Sequence, residues 1–401
     1  MSYVFYKEKE FVSTLKCKYP KSWKCDRFDS FITLEYGKGL PESTRREGQY
    51  PVFGSNGVVG YHDEKLVKGP GIVVGRKGTI GAVTLSTKDF WPIDTTFYVR
   101  MKADEIDWNW LFYELVHLNL PKLSSADVVP GLKRELVNNL IVPLPSLAEQ
   151  QRVAEVLGVV DSAIEFADRV IAKTERLKKG LMQQLLTYGI GHSEYKETSI
   201  GKMPKEWGME KLGRLVEIRS NKSVNNREKI AFIPMELVPD QQLFAKYQLR
   251  AREDVKSFTY CEAGDLLLAK ITPSLENGKQ GIVPLDVPNG IALATTEVFP
   301  LKCTGINKFF LFYVLKHSKF RNQIISSMIG TTGRQRASKE SVEKLEIPLP
   351  SSGEQQRIAE IFFEVDKKLE VETAEKERLA RIKQGIMDLL LTGKVRIKEA
   401  S

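Results

Sequence analysis

The sequence predicts a duplicated α+β architecture: two domains of mixed α/β structure, each followed by a long helix, with the two helices packed on each other. Three observations carry this. PLPSLAEQQRVAEV, starting at Pro143, returns as PLPSSGEQQRIAEI, starting at Pro348, and the gap-free alignment keeps about 20 of roughly 45 positions. Within each copy the hydrophobic pattern switches once, from short strand-like runs to steps of three and four. Each helical stretch has about 40 residues, or about 60 Å at 1.5 Å per residue, a length suited to a coiled coil rather than an ordinary globular helix.

The elements follow in chain order as four segments: 1–145, 146–191, 192–350 and 351–401. In the first, residues 71–74, 82–85 and 97–101 read as strands bounded by Gly and Pro, and residues 108–118 as a helix. Residues 3–19 form a lead-in to which no role is assigned. The second segment opens on Ser146, three residues before Glu149, which matches a capping box. Its apolar set runs Val153, Val156, Val160, Ala163, Ala167, Val170, Leu177, Leu181. The third segment repeats the first: Pro20, Lys21 and Trp23 return as Pro204, Lys205 and Trp207, residues 71–77 as 264–270, and Gly81 as Gly281. Tyr6-Lys7-Glu8 resembles Tyr195-Lys196-Glu197. Strands are expected at 265–269 and 291–299 and a helix over 309–328. The fourth segment carries Ile358, Phe362, Val365, Leu369, Leu379, Ile382, Ile386 and Leu389 on the second helix. The shift between copies grows from about 184 to about 205, as surface-loop insertions in the second copy would produce.

Composition narrows the function classes. At 401 residues, 42% hydrophobic and 28% charged, the chain is neither disordered nor low-complexity. No run approaches the 18 to 20 apolar residues of a membrane span, and residues 1–10 hold no signal core, so a cytoplasmic protein is expected. Cys17, Cys25, Cys261 and Cys303 form no C-x-x-C pair, and the four histidines stand outside ligand spacings. The formal charge of +9 is unevenly placed: residues 1–145 carry +3 and residues 204–350 carry +6, while 146–203 and 351–401 are neutral. Two basic modules on neutral helices point to an anionic partner for the modules.

Several motifs suggest chemistry. GRKGTIG (75–81) lacks the order of a phosphate loop, and NGKQG (277–281) lacks its Ser or Thr. Asp240, Asp254 and Lys256 have the composition of a Mg²⁺-dependent nuclease site, the enzymatic alternative, but the first copy has no counterpart. A purely structural coiled-coil scaffold is the other alternative. Cations on glycine-flanked loops fit phosphate contact better: Arg76 and Lys77, Lys133 and Arg134, Lys270 with Thr272, Arg334 to Arg336.

In combination, YPVFGSNGVVGYHDE (50–64), GPGIVVGRKGTIG (69–81), FWPIDTTFYV (90–99), the two PLPS…EQQR helix starts and the LLT endings resemble the DNA specificity subunit of type I restriction–modification systems. The resemblance implies a non-enzymatic chain whose recognition domains each read half of a bipartite target in double-stranded DNA. It implies antiparallel helices with pseudo-two-fold symmetry, which set the spacer and dock two methylation subunits, with restriction subunits joining. S-adenosylmethionine, ATP and Mg²⁺ are then expected on those partners and no cofactor on this chain. Positions shared by the copies should hold phosphate and differing positions should read bases. Readout candidates are Ser55, Asn56 and Arg76 in the first domain, and Asn221, Ser274, Asn277 and Gln335 in the second, with Lys222 and Lys279 beside them. Glu149, Gln150, Gln151 and Arg152, repeated as Glu354, Gln355, Gln356 and Arg357, are the expected contacts to methylation subunits.

Overall fold

The structure, a computed structural model, describes residues 3–13, 18–123, 130–199, 201–224, 229–331 and 333–399; Cys17 and part of the 3–19 lead-in lie outside them. The chain divides into two compact units, Met1–Asp168 with Ala374–Ser401, and Arg169–Thr373. Both divisions fall inside a long helix. Each unit therefore combines one α+β domain with half of its own repeat's helix and half of the other repeat's helix.

The first unit begins with strands β1 (Tyr3–Lys7), β2 (Phe11–Ser13), β3 (Lys18–Pro20) and β4 (Lys24–Arg27), then helix α1 (Phe28–Phe31). Next come β5 (Ile32–Tyr36), β6 (Tyr50–Gly54), β7 (Gly57–His62), β8 (Gly71–Gly75) and β9 (Val83–Ser86). Strands β10 (Trp91–Pro92) and β11 (Thr96–Met101), helices α2 (Trp108–His117) and α3 (Arg134–Asn138) and strand β12 (Ile141–Leu144) lead into α4 (Leu147–Tyr188). An antiparallel sheet of order β5-β11-β8-β9 packs its apolar face, with Ile32, Leu34, Val74 and Phe97, on Trp110 and Leu111 of α2. A second sheet, β10-β6-β7, leaves β7 at its edge.

The second unit repeats this plan. It contains β13 (Tyr195–Lys196), β14 (Met203–Pro204), β15 (Gly208–Lys211), α5 (Leu212–Leu215), β16 (Val216–Ile218), β17 (Lys229–Ile233) and β18 (Gln248–Ala251). Then follow β19 (Thr259–Glu262), β20 (Leu266–Ala269), β21 (Gln280–Ile282), β22 (Ile291–Ala294) and β23 (Val298–Cys303). Helices α6 (Lys308–Lys316) and α7 (Ser318–Ser326), hairpin β24 (Ile329–Thr331) and β25 (Arg334–Arg336), α8 (Lys339–Glu343) and β26 (Glu346–Leu349) precede α9 (Ser352–Leu390). Its main sheet, β16-β23-β20-β21, matches β5-β11-β8-β9. The last strand, β27 (Val395–Glu399), belongs to the first unit, where it pairs antiparallel with β1.

Two expected elements are split. The strand expected over 291–299 is β22 and β23, which join different sheets and so need the turn between them. The helix expected over 309–328 breaks at His317, whose backbone is extended (ψ 125°) and whose ring accepts from the Lys319 N–H, capping α7.

Strand pairing also moves three of the expected correspondences. β8 pairs with β11 through Val74 opposite Phe97, and β20 with β23 through Leu268 opposite Phe299, so Arg76 rather than Lys77 is the counterpart of Lys270. Gly75 N–H bonds Ala82 O and Ala269 N–H bonds Lys279 O, which makes Gly278 rather than Gly281 the counterpart of Gly81; both adopt positive φ (+75° and +73°). Phe11 pairs with Pro20 as Tyr195 does with Pro204, so β13 corresponds to β2 and not to Tyr6-Lys7-Glu8. A one-residue slip of this kind exchanges the two faces of a strand, which is why Arg76 and not Lys77 takes the place beside the aromatic ring that Lys270 holds in the second copy.

Each domain is fastened to the helices by the same devices. In the first unit the Tyr113 hydroxyl donates to Asp161 of α4 (2.7 Å), and Lys383 of α9 bonds the same carboxylate (2.6 Å) while lying 5.3 Å from the Tyr113 ring centre. In the second unit Tyr313 donates to Asp366 of α9 (2.8 Å), and Lys178 of α4 bonds that carboxylate (2.5 Å) over the Tyr313 ring. The helices exchange roles between the two clamps: α4 supplies the carboxylate in the first unit and the lysine in the second, and α9 the reverse. Asp161 with Lys383 and Asp168 with Lys376 show that α4 and α9 run antiparallel in the first unit. Burial, followed by the acidic partner, pushes both tyrosine hydroxyls well above their ordinary range and keeps them protonated donors.

The long apolar stripes are only partly covered. Val153, Ala154, Leu157, Ile358, Ala359 and Phe362 are buried under their domains, but Leu177 and Ile382, expected in the seam, are 55% and 40% exposed. A two-helix pair covers a narrow a/d stripe, and these wider stripes exceed it. Among the described residues no helix is long and apolar enough to cross a membrane.

Candidate nucleic-acid interface

In the first unit two loops converge on the Thr95 carbonyl. Arg76 N–H and Lys77 N–H both donate to it (2.9 and 3.1 Å), and so does the Ser55 hydroxyl (2.8 Å). Leu132 N–H bonds Arg76 O (3.0 Å), which brings in the loop of Lys133 and Arg134. Gly78 and Gly81, both at positive φ, let the loop after β8 turn back so that Gly81 N–H reaches Gly75 O. The Arg76 guanidinium donates to Asp94 O (2.6 Å) and lies 5.3 Å from the Tyr36 ring centre and 5.9 Å from that of Phe97. Arg134 lies 5.4 Å from the Tyr36 ring, which is itself 53% exposed. Two guanidinium groups on one exposed ring make a flat, cationic, partly desolvated surface. Asn56, Lys77 and Lys133 stand exposed around it.

The second unit builds the equivalent surface with other residues. Lys270 N–H bonds Glu297 O, Ala337 N–H bonds Lys270 O, and Thr272 N–H bonds Gln335 O, uniting the 270–279 loop with the β24–β25 hairpin. The Lys270 ammonium sits 4.9 Å from the Phe299 ring centre, and partial burial holds its pKa below the usual lysine range. Arg336 Nη2 donates to both carboxylate oxygens of Glu297 (2.8 and 2.7 Å), so its charge is largely balanced within the fold. Thr272 bonds Glu276 (2.7 Å), and Ser274 is buried. Lys279 donates to Met235 O and Val238 O, a bracing role. Behind the loop, Lys316 donates to Asp240 O (2.5 Å) and Gly278 O (2.9 Å), and burial pulls its pKa down to about 7. Asn277, Arg334 and part of Gln335 face solvent.

Asn221 and Lys222 make their contacts elsewhere. The Asn221 amide is spent at both ends, on Phe258 O and Tyr260 N–H, and Lys222 lies over the Tyr260 ring and pairs with Glu262 (3.5 Å). Asp240, Asp254 and Lys256 are all exposed, and among the described residues no group of three His, Cys, Asp or Glu has metal-holding geometry.

The EQQR repeat is largely committed inside the chain. Glu149 accepts from Trp23 Nε1 (3.0 Å) and from both arms of Arg396 (2.7 and 2.8 Å), which raises the Arg396 pKa. Glu354 accepts from Trp207 Nε1 (2.9 Å), His192 Nε2 (2.9 Å) and Ile190 N–H (2.8 Å). Gln150 and Gln355 accept from Asp107 N–H and Asn307 N–H at the starts of α2 and α6 (2.9 Å each). These four side chains are buried and tie each domain to its helix; Gln151, Gln356 and Arg357 are exposed and Arg152 half-buried. The capping box forms by half: Ser146 and Ser351 accept from Glu149 N–H and Glu354 N–H (3.4 and 3.3 Å), while the glutamates turn to tryptophan.

Tyr36, Thr95 and Glu297 were not among the candidates read from sequence. Only the fold brings strand ends and turn carbonyls beside the basic loops, so no local signal marks them.

Comparison with known proteins identifies the family and the fold. The family model described as "Type I restriction modification DNA specificity domain" matches twice, over residues 20–176 and 204–381. The chain is 28% identical to the type I restriction enzyme MjaVIII specificity subunit of Methanocaldococcus jannaschii, over 98% of each chain. It is 31% identical to the EcoAI specificity subunit of Escherichia coli, over 49% of this chain and 34% of that one. The fold matches the crystal structure of a type I restriction–modification S subunit from M. genitalium, with a TM-score of 0.61, 18% identity and coverage of 92% and 96% of the two chains.

Proposed function

The chain belongs to the type I restriction–modification DNA specificity family, and from that premise we propose how its two units divide the work of recognition. It is a non-catalytic DNA specificity subunit with two recognition domains, and nothing found supports a nuclease. In our reading each domain reads one half of a bipartite site, segments 1–145 and 192–350 serving as readers and 146–191 and 351–401 as spacer and docking helices. The observation that favours this is the matched pair of loops after β8 and β20, each carrying a cation on an aromatic ring at an equivalent strand end, Arg76 by Phe97 and Lys270 by Phe299. Equivalent placement suits backbone positioning on a symmetric duplex, while the differing side chains around it suit two different half-sites.

Of the candidates, Lys77, Lys133, Arg134, Lys270 and Arg334 are assigned to phosphate, and Asn56, Asn277 and Gln335 to bases. Asn221, Ser274, Lys279 and Arg336 hold the loops in shape. For the two methylation subunits we favour the apolar residues left uncovered on the helices over the buried glutamates. In the first unit these are Phe166 (61% exposed) and Ile382, and in the second their repeat equivalents Val371 (60%) and Leu177. Restriction subunits would join the same assembly in the cytoplasm, with S-adenosylmethionine, ATP and Mg²⁺ held by the partners.

The test is reconstitution. The chain alone should bind DNA weakly, and together with its methylation subunits and S-adenosylmethionine it should methylate one bipartite motif. Cutting by the chain with Mg²⁺ alone, abolished by Asp240→Ala, would refute the reading.

A further inference from the structure

The β6–β7 hairpin of the first unit is built in a way its own packing does not explain. Val58, Val59 and Tyr61 are 50%, 46% and 58% exposed on an edge strand. Strand residues alternate between faces, so two adjacent exposed valines need a cause, and the pairing supplies one. Val52 lies opposite Gly60 and Phe53 opposite Val58, leaving Val59 as the extra residue of a β-bulge.

The bulge is held open deliberately. Arg45 donates to Val59 O (2.7 Å), and Gly60 follows at φ +150°, where a Cβ would lie 2.8 Å from Arg45 Nη1. On the other side Val59 closes on Gly54, where a Cβ would lie 2.9 Å from the valine Cγ1. The acidic residues at the strand end are neutralised, since Arg46 bonds both Asp63 (2.7 Å) and Glu64 (2.5 Å).

The hairpin is continuous with the cationic surface: Ser55 at its turn bonds the same Thr95 carbonyl that holds Arg76 and Lys77. In the second unit the matching edge strand is β18, which presents Gln248, Leu249 (54% exposed) and Arg250 without a bulge. The same element thus occupies the same place in both copies and carries different chemistry, which is what readers of two different half-sites require.

We propose that the β6–β7 hairpin enters the DNA major groove and that Val58, Val59 and Tyr61 read the 5-methyl groups of thymines in the first half-site. The proposal rests on the specificity reading above and adds an apolar readout to the polar one assigned to Asn56, Asn277 and Gln335. A two-stranded ribbon fits the major groove, thymine is the base that presents a methyl there, and exposed apolar side chains on an edge strand joined to a basic loop are complementary to methyls flanked by phosphates.

Uracil replaces thymine with loss of that methyl alone, so it is the direct probe. The motif is first fixed by mapping methylated adenines made by the full chain with its methylation subunits. Binding is then measured on duplexes carrying uracil at each thymine of the first half-site in turn. One or two positions should lose about fourfold in affinity, the equivalent of about 0.8 kcal/mol for one buried carbon. Val59→Thr, which keeps the branched shape, and Val58→Ala should lower the thymine preference at those positions and leave the salt dependence unchanged. Sequence-dependent binding in which every uracil is within twofold of thymine would overturn this proposal and leave the specificity reading standing. Loss of assembly with methylation subunits in both variants would overturn it in favour of a protein-covered hairpin. Absence of any sequence dependence would overturn the specificity reading itself, and this proposal with it.

Discussion

Glu114 offers a test of the fold that is independent of DNA. It lies on α2, 2% exposed, and its Oε2 has no hydrogen-bond partner among the described residues; the equivalent residue in the second copy is Val314, which is fully buried. Burial alone lifts its pKa from 4.5 to about 8. Between those values the native carboxyl is protonated and the unfolded one ionised, so the native state holds the extra proton and stability falls as pH rises through the window. At about 1.4 kcal/mol per pH unit, the loss from pH 5 to pH 8 is about 4 kcal/mol. Glu114→Gln keeps the shape and removes the titration, though its amide also lacks partners and costs about 1–3 kcal/mol at every pH. The informative quantity is therefore the slope. Hydrogen exchange of the α2 amides at pH 5, 6, 7 and 8, corrected for intrinsic rates, reports the stability of the first unit without assuming that both units unfold together. Wild-type opening energy should fall by about 4 kcal/mol more than that of Glu114→Gln across the series. Parallel slopes would show that Glu114 ionises normally, and the burial assigned to α2 would then be wrong.

The remaining predictions concern the clamps, the loops and the helix faces. Tyr113→Phe and Tyr313→Phe each remove one hydrogen bond to a carboxylate that keeps its lysine, and each should cost about 1–2 kcal/mol in its own unit, read by exchange in α2 or α6. Lys77→Ala should weaken DNA binding evenly across sequences and reduce the salt slope by about one, whereas Gln335→Ala should relax one base position of the methylated motif. Phe166→Asp with Leu177→Asp should abolish co-elution with the methylation subunits while helical circular dichroism is unchanged, since both side chains are already exposed.

The duplication, the long helices and the basic character of the two domains were legible in the sequence because each is a periodic or compositional signal. What was not legible depended on pairing. Lys77 and Gly81 align with Lys270 and Gly281 by letter, but hydrogen-bond register, which sequence identity does not encode, puts Arg76 and Gly278 in those places. The EQQR motif looked like a partner surface because its polarity suits solvent; Trp23, Trp207, Arg396 and the amides of Asp107 and Asn307 satisfy it internally, and those partners are 43 to 247 residues away. Tyr36 carries no motif at all and acquires its place from two arginines that only the fold assembles. Leu177 and Ile382 illustrate the converse, an apolar periodicity that predicts a covered seam and finds too little partner surface to cover it.

The central claim is that each repeat reads its own half of the target. Its most direct test replaces residues 204–350 with a second copy of residues 20–145, expresses the chimera with the methylation subunits, and maps methylated adenines across the host DNA. The account predicts a motif made of two inverted first half-sites, with the original second half-site absent. A motif that retains the original second half-site would contradict it.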